Sequence, residues 1–198
     1  MKLRIRARIP LLMVLFLFPV AVLQAQDYAI KTNLFYGGYT LTPNLGVEVG
    51  IRSRSTIDVG FGYNPWNYEG SETNNKKLVH LLGEVEYRYW LCEKFNGHFF
   101  GIHALGSQYN ISEHELPLLF GKGSKDFRFE GWAVGAGISY GYQFLLGKHW
   151  NIEANVGVGY AYLSYDKYDC KKCEPVLSSA KRDYFGPTKA ALSILYVF

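Results

Sequence analysis

From Phe129 to Tyr160 the chain reads FEGWAVGAGISYGYQFLLGKHWNIEANVGVGY, and nearly every second position is either bulky and apolar or small and polar. A period of two is the signature of β-strands. One face of the first half carries Trp132, Val134, Ala136, Ile138, Tyr140, Tyr142 and Phe144; the other carries Ala133, Gly135, Gly137, Ser139, Gly141 and Gln143. Beyond GKH the alternation resumes, with Ile152, Val156, Val158 and Tyr160 set against Asn151, Glu153, Asn155, Gly157 and Gly159. Which face is inside decides the fold.

The same period runs through the rest of the chain, and no ten-residue stretch carries a helical stripe. Eight strands are expected: Tyr28–Tyr36, Asn44–Arg52, Ser55–Tyr63, Lys77–Tyr89, His98–Gln108, Phe129–Leu146, Trp150–Ser164 and Pro187–Phe198. An eight-stranded barrel has an interior only wide enough to be filled by side chains. Large residues from every strand could not fit there, whereas glycine, serine and a few hydrogen-bonding groups could, so the bulky face is expected outward. In water such a surface is rarely tolerated; in lipid it is what the solvent demands. A soluble lipocalin-like carrier would place its bulky residues inside, and volume argues against it.

Connection lengths agree. SR (Ser53, Arg54), LCEKFNG and GKH are short, and they alternate with GGYTLTP, NPWNYEGSETNN, the stretch from Tyr109 to Arg128 and that from Tyr165 to Gly186. Outer-membrane barrels place tight turns on the periplasmic side and long loops outside. The expected fold class is therefore all-β, an eight-stranded antiparallel up-and-down transmembrane β-barrel with short periplasmic turns and long extracellular loops. Tyr63, Trp66, Tyr87, Tyr89, Trp90, Trp150 and Tyr165 lie at segment ends, where interfacial girdles are expected. The final strand sets Leu192, Ile194, Tyr196 and Phe198 on one face, as in the terminal-strand signal read by the barrel-assembly machinery.

The amino terminus fits that destination. Lys2, Arg4, Arg6 and Arg8 precede an apolar run from Ile9 to Leu23, the pattern of a secretory signal peptide over residues 1–25, cleaved after Ala25, with the barrel domain over residues 26–198. An uncleaved anchor is the alternative, disfavoured by the run's length and by Pro10 and Pro19. Removing the leader's four bases from the 21 Lys and Arg leaves 17, against 17 Asp and Glu, a net charge of zero. The basic pI of about 8.8 belongs to the leader, and nucleic-acid binding is dropped.

Three cysteines remain, Cys92, Cys170 and Cys173. CKKC could be a redox pair, half a metal site or a local bridge. A redox pair needs a helix N-terminus in a βαβ setting, and zinc needs four ligands, so a loop disulfide between Cys170 and Cys173 is expected, with Cys92 an inert thiol. Neither metal nor cofactor is expected.

Several stretches carry a more specific likeness: KTNLFY, LTPNLGVEVG, YNPW, EYRYWLCEKFNGHFFGIHALGSQYN, the block from Gly131 to Cys170, and YFGPTKAALSILYVF. Together they resemble a domain-of-unknown-function family of small outer-membrane β-barrel proteins from Bacteroides-type bacteria. YRYWLCEKFNGHF and the CxxC…YFGPTKA blocks are the most distinctive, whereas Ile111 to Phe127 matches nothing in the group. The resemblance implies location and architecture, brings no reaction with it, and implies a role beside surface fimbrial proteins.

Inside the expected barrel the polar register collects Glu48, Arg52, Asp58, Glu84, Glu86, Arg88, Glu153 and Lys189, with His80, Asn33, Asn151 and Asn155. Buried charges without partners are costly, so these are expected to pair into a plug, their balance of five carboxylates and three bases improved by Lys31 or protonated histidine. A narrow pore for ions or small solutes is the alternative. A lipid A-modifying enzyme is the third reading. The histidines are His80, His98, His103, His114 and His149, and His149 falls in an expected periplasmic turn without the neighbouring serine that a deacylase needs. Expected partners are outer-membrane lipid and lipopolysaccharide, approached by Lys171, Lys172, Lys181 and Arg182 beside Asp166 and Asp169. A surface protein is the further partner, docking at the apolar Leu116, Leu118, Leu119 and Phe120 unless that segment folds over the barrel mouth.

Overall fold

A computed structural model describes residues 27–67, 76–114, 124–169 and 175–198. Eight antiparallel strands close on themselves into a barrel: β1 (Tyr28–Asn33), β2 (Asn44–Arg52), β3 (Ser55–Asn64), β4 (Lys77–Trp90), β5 (Gly97–Ser112), β6 (Phe127–Leu145), β7 (Trp150–Asp169) and β8 (Val176–Val197). Each strand pairs with its sequence neighbours, and β1 closes the ring against β8, Ala29 opposite Val197 and Asn33 opposite Ser193. The turns at 53–54, 91–96 and 146–149 share one rim with both ends of the described chain, where the Phe198 N–H donates to the Tyr28 carbonyl at 2.9 Å. We call it the turn rim, and the opposite end the loop rim.

The bulky face points outward. Ile138, Val156 and Ile102 are each more than 60% exposed, whereas Ser139, Asn155 and His103 beside them are buried. The inward glycines leave room for what the lumen holds: a Cβ on Gly137 or on Gly157 would lie 2.9 Å from Cε1 of His103, tighter than side chains allow.

Four features depart from the expected pattern. Strand β1 stops at Asn33 and a six-residue helix, α1 (Leu34–Tyr39), follows; the Asn33 side chain caps it by accepting from the Phe35 N–H at 3.0 Å. Second, β7 runs on to Asp169 and β8 starts at Val176, so most of the expected loop from Tyr165 to Gly186 is an extension of the β7–β8 hairpin. Cross-strand contacts hold the extension: Lys167 Nζ lies 3.4 Å from the Phe127 ring centroid, Arg128 stacks on Tyr168, and Ser179 Oγ donates to Asp166 Oδ1 at 2.5 Å.

Third, Trp90 does not join an outer girdle. It is fully buried inside the turn rim with Phe95, Phe99 and Leu195, its indole N–H donating to Thr56 Oγ1 at 3.0 Å. Tyr165 likewise turns inward and packs edge-on against Phe129. The barrel is thus stoppered by aromatic rings at the turn rim, while Tyr63, Trp66, Tyr87, Tyr89 and Trp150 do face outward. Fourth, a register shift between Gly50 and Arg52 next to the two-residue turn turns Arg52 out of the lumen. Arg52 is exposed and takes no part in the interior network.

Candidate functional site

The polar residues of the inner face converge at mid-height. Arg88 projects from β4 into the centre, fully buried, and donates to four carboxylates: Glu86 Oε2 at 2.6 Å, Glu48 Oε2 at 2.7 Å, Asp58 Oδ2 at 2.8 Å and both oxygens of Glu153 at 2.7 and 3.0 Å. These come from β4, β2, β3 and β7, so one planar guanidinium ties together opposite walls of the lumen. Its other face lies over the Phe99 ring, 4.5 Å from the centroid, resting the ionic layer on the aromatic stopper.

Two ammonium groups complete the layer. Lys31 Nζ lies 2.6 Å from Asp58, 3.2 Å from Glu48 and 3.5 Å from Glu153. Lys189 Nζ reaches Glu84 at 3.0 Å and Glu86 at 3.1 Å. Neutral groups take up remaining lone pairs: Thr56 donates to Glu48 at 2.6 Å, Asn155 to Glu86 at 3.1 Å, and Ser139 also to Glu86. The cavity beside Lys31, Asp58, Arg88 and Lys189 is small, about 30 Å³.

Of the interior residues expected from sequence, Glu48, Asp58, Glu84, Glu86, Arg88, Glu153 and Lys189 meet here. His80 faces the lumen above them and hydrogen-bonds to Thr42 Oγ1 at 3.3 Å instead. Lys31 takes the place expected for Arg52. Its signal was its own alternation, since it shares a face of β1 with Ala29 and Asn33. His103, buried over Gly137 and Gly157, bonds to Thr188 Oγ1 at 2.9 Å. His98 and His149 stack on outward tyrosines near the turn rim, and His114 bonds to the Ser112 carbonyl.

At the seam, Leu192, Ile194 and Tyr196 lie on the outward face of β8, with Tyr196 edge-on to both Trp150 and Phe198. Cys92 is an exposed free thiol in the turn between β4 and β5. Ala25, Cys170, Cys173 and the apolar segment from Leu116 to Phe120 lie outside the described residues. Among the described residues, no three His, Cys, Asp or Glu side chains are grouped to hold a metal ion.

A family model described as protein of unknown function (DUF3575) matches residues 11–198, nearly the whole chain. The chain belongs to the DUF3575 family. None of the curated proteins and none of the solved structures matches it. What the DUF3575 chain offers chemically is therefore read from its own geometry: an inner layer of five carboxylates and three bases, tied across the lumen by charge-assisted hydrogen bonds and closed below by aromatic rings.

Proposed function

We propose that the chain is an integral β-barrel of a bacterial outer membrane whose lumen is plugged and which serves a structural or surface-binding scaffold role without catalysis. The observation that carries the reading is the pairing of an apolar outside with an ionic inside. Large residues ring the barrel as a contiguous apolar surface of a kind soluble monomers rarely expose, and Arg88 closes the centre. Trp132 and Tyr142 are ten residues apart on the outer face of β6; at roughly 3.4 Å per residue and a tilt of about 40° they are about 26 Å apart along the axis. That matches the ~25 Å apolar band that aromatic girdles flank in outer-membrane barrels.

In this reading the turn rim faces the periplasm and the β7–β8 hairpin extends outside, where Lys181 and Arg182 meet lipopolysaccharide or a neighbouring surface or fimbrial protein. The signal peptide with cleavage after Ala25, the terminal-strand assembly signal and the Cys170–Cys173 bridge belong to the same proposal. Reconstitution into planar bilayers tests the plug: the expected result is no steady conductance, and stable open channels would overturn it.

A narrow pore is the second reading, favoured by one observation. Five carboxylates against three bases leave a formal excess of two negative charges at the centre, which would select cations. Cation-selective steps in the same bilayer experiment would replace the plug with that reading. Altered lipid A on mass spectrometry after overexpression would overturn the absence of catalysis.

A further inference from the structure

Above the ionic layer the lumen changes character. Between β4 and β8, towards the loop rim, lies a cavity of about 220 Å³ walled by the inward side chains Leu105, Ile111, Ala133, Ala161 and Leu163. Three of the polar side chains on its border are engaged in hydrogen bonds, and Ser107 and Tyr109 line it as well. The Tyr184 hydroxyl donates to the Pro187 carbonyl at 3.1 Å, Thr188 Oγ1 is bonded to His103, and His80 to Thr42. An occupant therefore meets mainly hydrocarbon walls, and an apolar space of this kind accepts apolar guests.

The wall beside the cavity is built differently from the rest of the ring. Strand β8 pairs with β1 over Ser193–Val197, and beyond that β1 has ended. Asn33 finishes the seam with its side chain, donating to the Ala190 carbonyl and accepting from the Leu192 N–H, both at 3.2 Å. Among the described residues, no strand pairs with β8 on that side over 176–191; α1 packs beside β8 where β1 ends, and the stretch farther towards the loop rim has no strand neighbour there. Tyr184, Pro187 and Thr188, which border the cavity, belong to that stretch, and Phe185 between them is 82% exposed on the outer face. A hydrocarbon chain approaching from the side past α1 has no ladder of backbone hydrogen bonds to break.

Taking the membrane reading above as its basis, we infer that the upper lumen is a binding site for a single hydrocarbon chain of a membrane lipid, entered sideways past the unpaired stretch of β8. A cavity of ~150 Å³ accepts six-carbon benzene, so the volume here suits roughly eight or nine carbons, the end of one acyl chain. The ionic layer below sets the depth limit, because hydrocarbon pushed against Arg88 and Lys189 would displace their carboxylate partners.

The test is methyl nuclear magnetic resonance on the full mature chain, with labelled Leu and Ile, in nanodiscs of dimyristoylphosphatidylcholine. Ile138, outward and 63% exposed, reports on the membrane reading itself. Leu105 and Leu163 report on the cavity. Cross-peaks from both leucines to lipid methylenes are expected, lost in Ala161→Leu and unchanged in Ala136→Leu, whose side chain points outward. If Ile138 touches lipid while Leu105 and Leu163 show only protein neighbours, Leu116, Leu118 or Phe120 of the same chain included, the chain-binding site is wrong and the membrane reading stands. If Ile138 shows no lipid contact, both fall. Should Ala161→Leu fail to fold, the wild-type cross-peaks decide.

Discussion

Arg88 on β4 and Glu153 on β7 meet across the lumen through two parallel N–H···O bonds of 2.7 and 3.0 Å. The two strands are not neighbours in the ring, so this fork acts as a strut between opposite walls. Removing one partner of a buried pair leaves a charge without compensation, at about 3–5 kcal/mol. Arg88→Met is therefore expected to lower the unfolding free energy in lipid vesicles by that much, read as a lower urea midpoint. Arg88→Lys keeps the charge but loses the fork, and should fall between the two. A wild-type midpoint for Arg88→Met would show that the layer is not a structural element.

The seam supplies a second prediction. Asn33 caps α1 and bonds to the backbone of β8 at two points. Asn33→Ala removes all three side-chain bonds, and a cost of about 1–3 kcal/mol is expected from lost capping and unsatisfied backbone groups. Hydrogen exchange should localise the loss, with the Leu192 amide exchanging faster and the Ile138 amide unaffected.

A third concerns the closeness of the walls. A Cβ on Gly159 would collide with the Ala136 carbonyl oxygen of the neighbouring strand, whereas one on Gly106 meets nothing within 4 Å. Gly159→Ala should destabilise by about 1–3 kcal/mol, and Gly106→Ala should be neutral or stabilise by up to ~1 kcal/mol. Equal effects in chemical denaturation would contradict the packing of β6 against β7.

The proposed orientation predicts where thiols can be reached. Cys92 is exposed in a turn-rim connection, and Ser178 is exposed on the extended hairpin at the opposite end. In a chain whose Cys170 and Cys173 are changed to serine, an impermeant maleimide on intact cells should label Ser178→Cys and spare Cys92 until the outer membrane is opened. Labelling of Cys92 on intact cells would reverse the orientation.

How much of this was legible in the sequence follows from what each signal records. Alternation through Trp132–Phe144 and Ile152–Tyr160, together with the volume of an eight-stranded interior, gave the ring and its outward face. Glu48, Asp58, Glu86, Arg88 and Glu153 followed from the same parity. Arg52 did not, because the register shift after Gly50 leaves no mark on local alternation. Trp90 shares the parity of Glu86 and Arg88 yet is bulky; the lumen needs filling at the turn rim, a tertiary demand that a girdle argument from position cannot sense. The six-residue helix LFYGGY is too short for a helical stripe and carries two glycines. Along Val176–Arg182 the side chains are exposed or half-buried on both faces, so no buried side selects an apolar rhythm and the strand reads as loop.

The central claim is that hydrocarbon touches the ring of large side chains, and a spin-label scan along β6 from Trp132 to Tyr142 in lipid vesicles tests it most directly, in a chain whose native cysteines are replaced. Collision with oxygen, which concentrates in lipid, should rise and fall with period two, high at Trp132, Val134, Ala136, Ile138, Tyr140 and Tyr142 and low between them. Collision with an aqueous nickel chelate should be low at those six outward sites. Uniformly high collision with the chelate at the outward positions would contradict the account.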